Sequence, residues 1–186
     1  MFEGDYTVYG KHATYIKYLA GNEKPFNYYI DVYMTGAVFG ILNNKRAKNT
    51  STTSADRARI YADAFNSQVR LKCSELFKLA ILNDTSKSWS EEEKINICFK
   101  YRDKIDENAI PPISENEINI MKEALDLFNE YAMGGIELLY ENFLNDAIVG
   151  IDDTVDYAYQ AMLEQKSLIE SRQPITDVNK LLHPEY

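Results

Sequence analysis

The sequence predicts an all-α fold, an irregular bundle of six to seven helices around one buried apolar helix at residues 28–43. Three observations predict it. The stretch Tyr28-Tyr29-Ile30-Asp31-Val32-Tyr33-Met34-Thr35-Gly36-Ala37-Val38-Phe39-Gly40-Ile41-Leu42-Asn43 is apolar on every face except at Asp31 and Thr35. A segment without a water-facing side belongs at the centre of a fold. Elsewhere apolar residues recur at steps of three and four, as in Ile118, Met121, Leu125, Phe128 and Ala132, which is helical periodicity. Finally, Ser90 with Glu93 and Ser114 with Glu117 have the spacing of capping boxes, the signature of a helix start.

Taken in order, residues 5–9 alternate weakly, but a lone strand has no partner, so an extended arm is expected. A short helix follows at 11–20, with His12, Tyr15, Ile16 and Leu19 on one face and Gly21-Asn22 ending it. Pro25 precedes the central helix, and Lys45-Arg46 place cations at its negative end. Gly36 and Gly40 lie four apart on one face of it. Each glycine costs a helix about 1 kcal/mol against alanine. The pair is therefore expected to serve helix packing, by letting another backbone approach, rather than to be incidental.

A polar loop spans 45–54, and Thr53 with Asp56 resembles a capping pair. A long helix is expected from about 55 to 82, with the stripe Ala58, Ala62, Phe65, Val69, Cys73, Leu76, Ala80. The next helix starts at Glu91, with Ile95, Cys98, Phe99 and Ile105 as its apolar side, and Pro111-Pro112 stops the chain from continuing as helix. The helix at 115–132 is expected to break or kink at Gly134-Gly135. The pattern resumes at Ile136–Ile148 and again at 153–171. Residues 1–172 read as a single helical domain, and 173–186 as a C-terminal tail docked through Leu181 and Leu182.

Composition narrows function more than it names it. The chain has 186 residues and a net charge of −9, which opposes broad attraction to nucleic acid or an anionic membrane. Charge is uneven: residues 45–83 hold eight basic and three acidic side chains, whereas 84–186 hold nine and twenty-two. Cys73 and Cys98 fall on helical apolar faces and read as reduced core residues. No signal peptide or membrane-spanning run is visible, so a cytoplasmic setting without membrane contact is expected.

The two histidines, His12 and His183, sit at opposite ends and in no zinc-binding pattern; no phosphate-loop, dinucleotide or nucleophile-elbow motif occurs. Hence no catalytic residue, metal ligand or cofactor is assigned, and an enzyme is not expected. Lys45, Arg46, Lys48, Arg57 and Arg59 cluster around a Ser/Thr-rich loop, where hydroxyls and guanidinium groups together suit a phosphate. They are the anion- or nucleic-acid-binding candidates. Seven of the fourteen tyrosines precede residue 34, and tyrosine suits surfaces that are half-buried at interfaces.

Pro25-Phe26, Asp31-Val32-Tyr33-Met34, Ala37, Gly40 and Asn44-Lys45-Arg46 together resemble a segment of small accessory proteins associated with bacterial DNA phosphorothioation, a sulfur-based modification used in anti-phage defence. The resemblance covers residues 25–46. The family's alanine-rich turn is here Thr35-Gly36-Ala37, a departure. The resemblance implies a bacterial DNA-defence setting and a subunit role, and it carries no catalytic residue over. The expected function is a non-catalytic accessory or adaptor subunit that binds a larger protein partner or self-associates. The alternative is a small nucleic-acid-associated regulator using 45–59.

Overall fold

In a computed structural model, residues 2, 4–22, 24–49, 56–101 and 114–143 are described, with isolated helical positions at 160, 163, 164, 166, 167 and 171. The chain divides into two compact units, Met1–Glu141 and Asn142–Tyr186. The helix expected at 153–171, apart from those isolated positions, and the tail at 173–186 lie outside the described residues, as do Thr53 and Ile105.

The described elements are β1 (Tyr6–Tyr9), α1 (Gly10–Leu19), α2 (Tyr29–Leu42), β2 (Arg57–Ile60), a 3₁₀ turn (Ala62–Ala64), α3 (Ser67–Asn83), α4 (Glu91–Phe99) and α5 (Glu115–Phe143). The fold is mostly helical, with five α-helices among the described residues and one small antiparallel sheet. The expected helical class is met in the main, with five described helices where six to seven were expected, and the sheet corrects the expectation of an unpaired extended arm at 5–9. β1 pairs with β2 in the register Tyr6↔Ile60, Thr7↔Arg59, Val8↔Ala58, Tyr9↔Arg57. The stripe of threes and fours through Ala58 masks a period of two: Ala58 and Ile60 are buried, Arg57 and Arg59 exposed. Alternation of that kind is the strand pattern. The long helix therefore begins at Ser67 rather than near 55. Its cap is Asn66, whose side-chain oxygen accepts from the N–H groups of Gln68 and Val69 at 3.1 Å each.

The capping boxes form at both serines. Ser90 N–H donates to Glu93 at 2.8 Å and Ser114 N–H to Glu117 at 2.9 Å, each reciprocated at 3.2 Å by the serine hydroxyl accepting from the glutamate N–H. Helix α2 ends in a Schellman motif. Asn44 takes a left-handed φ of 49°, Lys45 N–H donates to the Gly40 carbonyl at 2.9 Å, and Asn44 N–H to that of Ile41 at 3.3 Å.

Helix α5 does not break at Gly134-Gly135. It runs unbroken for 29 residues, and Tyr131 to Ile136 are six consecutive buried positions. A helix buried on all sides needs neighbours on all sides, and its glycines make room for two of them. On one side α2 crosses α5. A Cβ on Gly40 would lie 1.9 Å from the Tyr131 carbonyl oxygen, and one on Gly135 would lie 1.7 Å from that of Gly36. On another side the strap of residues 45–49 lies over α5. A Cβ on Gly134 would meet the Lys45 carbonyl oxygen at 2.3 Å, and Ala47 N–H donates to the Glu130 carbonyl at 2.9 Å. Each glycine's weak helix propensity is offset by the contact its missing side chain permits.

Central α2, by contrast, is buried at seven of fourteen positions and half-buried at the other seven. An aromatic cluster sits within the core. The Phe128 ring on α5 has edge contacts with Phe2, Tyr33 and Phe77 at centroid distances of 5.7, 6.0 and 6.1 Å. Tyr33 donates its hydroxyl proton to Asn129 at 2.6 Å, so the buried phenol is satisfied.

Candidate functional site

The described partners of the candidate cations lie on different elements. Arg46 leaves the strap toward the loop after α3. Its guanidinium donates to the Ser86 hydroxyl at 2.7 Å, lies 3.8 Å from Asp84 and from Glu130, and sits over the Tyr131 ring at 5.8 Å. Lys45 lies 3.8 Å from Glu137. Arg59, on β2, pairs with Asp5 and covers the Tyr61 ring at 5.3 Å. Lys48 and Arg57 are exposed. Three of the five charges are thus already matched by carboxylates, which lowers the field a phosphate would meet.

Two polar networks that the sequence did not single out brace α5. In the first, Glu137 accepts from Lys11 at 2.7 Å and from His12 Nε2 at 2.9 Å. Burial pushes the Glu137 carboxyl up, but the hydrogen bonds from Lys11 and His12 outweigh it and hold it below the usual value. His12 is fully buried, and its Nδ1 has no hydrogen-bond partner among the described residues. Burial lowers its affinity for a proton, against the pull of Glu137. Neutral His12 therefore donates through Nε2 and leaves Nδ1 as a bare acceptor.

In the second network, buried Asp84 accepts from the Tyr131 hydroxyl at 2.8 Å, the Ser86 hydroxyl at 2.9 Å, and the N–H groups of Ser86 and Lys87 at 3.0 and 2.9 Å. Burial raises its pKa, and these donors together bring it below the ordinary value. Tyr131 is pushed up to about 12 by burial and by its bond to Asp84. Both networks tie helix ends and strap to α5. Neither presents a nucleophile beside a base, and among the described residues no group of three metal-ligating side chains occurs.

The surface holds a different feature. On α4 the buried side chains are Lys94, Ile97 and Cys98, while Ile95 and Phe99, read from the sequence as part of its apolar side, face outward. Phe99 is 65% exposed. On α3, Leu71, Leu79 and Leu82 are exposed too, with Leu71 at 62%. Positions 71, 79 and 82 fall along one side of a helix, and Lys78 stands in the same stripe. Its ammonium lies 4.8 Å from the centroid of the Phe99 ring, so the α3 and α4 rows share a border. Singly scattered apolar residues are ordinary on a protein surface; here exposed apolar rows on two packed helices adjoin.

The sequence pattern could not separate this face from the core, because both repeat at three and four. In comparisons with known proteins, no family model, curated protein or solved structure matches the chain. Among the described residues, no helix is long and apolar enough to cross a membrane.

Proposed function

We propose that this chain is a non-catalytic helical accessory or adaptor subunit, and that the α3–α4 face seats it on a larger protein partner. The observation that carries the reading is the joined row of Leu71, Leu79, Leu82, Ile95 and Phe99, exposed on two packed helices. Removing such apolar side chains from water is favourable by roughly 25 cal/mol per Å² of apolar surface buried. The resemblance of residues 25–46 makes a bacterial DNA-modification or anti-phage complex the first place to look for that partner.

The test is a native pull-down of the full chain with and without nuclease, followed by mass measurement of what is retained. The reading predicts a stoichiometric protein complex, or a discrete homo-oligomer, that survives nuclease and is lost in the double variant Leu71→Glu, Phe99→Glu. A monomer holding only nucleic acid would move the assignment to a regulator acting through residues 45–59.

A further inference from the structure

A cleft of about 640 Å³ opens where three chain segments meet: the start of α2, the end of β2 and the 3₁₀ turn leading into α3. Its volume falls in the range of small-ligand sites, roughly 300–1,000 Å³. Two tyrosines on its wall are among the most exposed aromatics of the described residues, Tyr28 at 69% and Tyr61 at 59%. Exposed rings in a concavity are unlike exposed rings on a convex surface, because a ligand group can contact them while leaving water behind.

The charges decide what kind of group that is. Arg59, Asp31 and Asp63 line the cleft. Arg59 is paired with Asp5, whose carboxylate also accepts from the Ala62 N–H at 2.7 Å. Its positive charge is therefore matched locally. Asp31 accepts from the Tyr28 N–H at 3.2 Å, and no ion pair compensates it among the described residues; nor does Asp63 have a partner there. The cleft thus combines tyrosine faces with two carboxylates that have no ion-pair partner among the described residues. A phosphate would meet two negative charges and one neutralised arginine. A guanidinium or ammonium would meet two acceptors and aromatic faces, the combination that recognises organic cations. The Arg59 guanidinium over the Tyr61 ring already shows one such stacking at the rim.

We propose that this cleft receives an arginine or lysine side chain from an extended basic segment of a partner protein. The chain's net charge of −9 favours approach of such a segment. The proposal deepens the adaptor reading in one respect, the chemistry of the partner, and its test requires no partner and does not involve the α3–α4 face.

The experiment is a titration of the full chain, observed through its tyrosine ring resonances, with the capped peptide acetyl-Gly-Arg-Gly-Arg-Gly-amide. A peptide with citrulline at both arginine positions and adenosine monophosphate are the comparison probes. The arginine peptide is expected to shift Tyr28 and Tyr61, with an affinity that falls as salt rises. The citrulline peptide and the Asp63→Asn variant should each bind about tenfold more weakly, the size expected from losing one charged contact worth ~1.4 kcal/mol. Asp63 is exposed, so the variant's melting temperature should match the parent and separate lost binding from lost folding. Equal binding of the citrulline peptide overturns the proposal. So does the absence of any shift at Tyr28 and Tyr61, or stronger displacement of the same resonances by the nucleotide.

Discussion

Replacing Gly135 by alanine sets two effects against each other, and the structure says which wins. By helix propensity alone the change in a helix interior should stabilise by about 1 kcal/mol. The added Cβ, however, would lie 1.7 Å from the Gly36 carbonyl oxygen and 2.6 Å from both the Gly36 carbonyl carbon and the Gly40 nitrogen. Ordinary contact begins near 3.4 Å, so the first of these falls short by half that distance. All three obstacles are backbone atoms of α2, and no side-chain rotation relieves them. The helices must move apart, which also loosens the surrounding core, and overpacking of this kind costs typically about 1–3 kcal/mol or more.

The net expectation for Gly135→Ala is a loss of roughly 2 kcal/mol in urea unfolding at an unchanged slope. A ranking sharpens the prediction. Gly40→Ala should cost a similar amount, because its obstacle at 1.9 Å is the Tyr131 carbonyl. Gly134→Ala presses on the strap at 2.3 Å, and Gly36→Ala meets Ile136 Cγ1 at 2.7 Å and the Ala132 carbonyl oxygen at 2.9 Å, both shallower overlaps than at Gly40 and Gly135. Both should cost less. Stabilisation of the Gly135 variant by the propensity increment, or a reversed order across the four, would refute the close crossing of α2 and α5.

Three further outcomes are expected. Burial lowers the His12 pKa from its ordinary 6.5, with Glu137, Lys11 and Tyr15 facing the ring, so the unfolded chain binds the proton better; the stability is full above pH 6.5 and is lost as the pH drops below that value toward the lowered folded pKa. Melting temperature should therefore decline from pH 7.5 to 5.5 in the parent and stay flatter in His12→Gln; equal slopes would count against it. Arg46→Glu should destabilise by about 2 kcal/mol, because it sets a third carboxylate beside Asp84 and Glu130, whereas Arg57→Glu should stay within about 0.5 kcal/mol; equal losses in urea melts would contradict the pairing. Cys73 is buried and its thiol is pushed up to about 11, so a thiol-specific reagent should label it only on unfolding, and rapid labelling of the native chain would show the α3 core to be open.

Local chemistry was the most legible part of the fold. The Ser-x-x-Glu boxes at Ser90 and Ser114 announce helix starts because their hydrogen bonds are made within four residues. The sheet was hidden because β1 and β2 are four residues each, lie about fifty residues apart in sequence, and contain only two buried positions in β2, too few to set a period. Gly134-Gly135 misled for a related reason. In isolation two glycines weaken a helix, and only the approach of α2 and the strap, which the sequence does not display, explains their place inside α5. Arg46 and Arg59 were visible as cations, but their carboxylate partners come from other elements, so a run of charge along the chain became separate ion pairs in space. The outward row of Ile95 and Phe99 obeys the same spacing as a core row, and periodicity carries no sign for which side faces water.

The α3–α4 face is proposed above as a protein-docking surface. The most direct measurement places a photoreactive amino acid at Phe99, and in a parallel preparation at exposed Glu123 on α5, and irradiates the full chain in cells of its source. One discrete, nuclease-resistant covalent adduct of higher protein mass is expected from the Phe99 position and none of that mass from the Glu123 position. Adducts of equal yield from both positions, or adducts that nuclease removes, would contradict it.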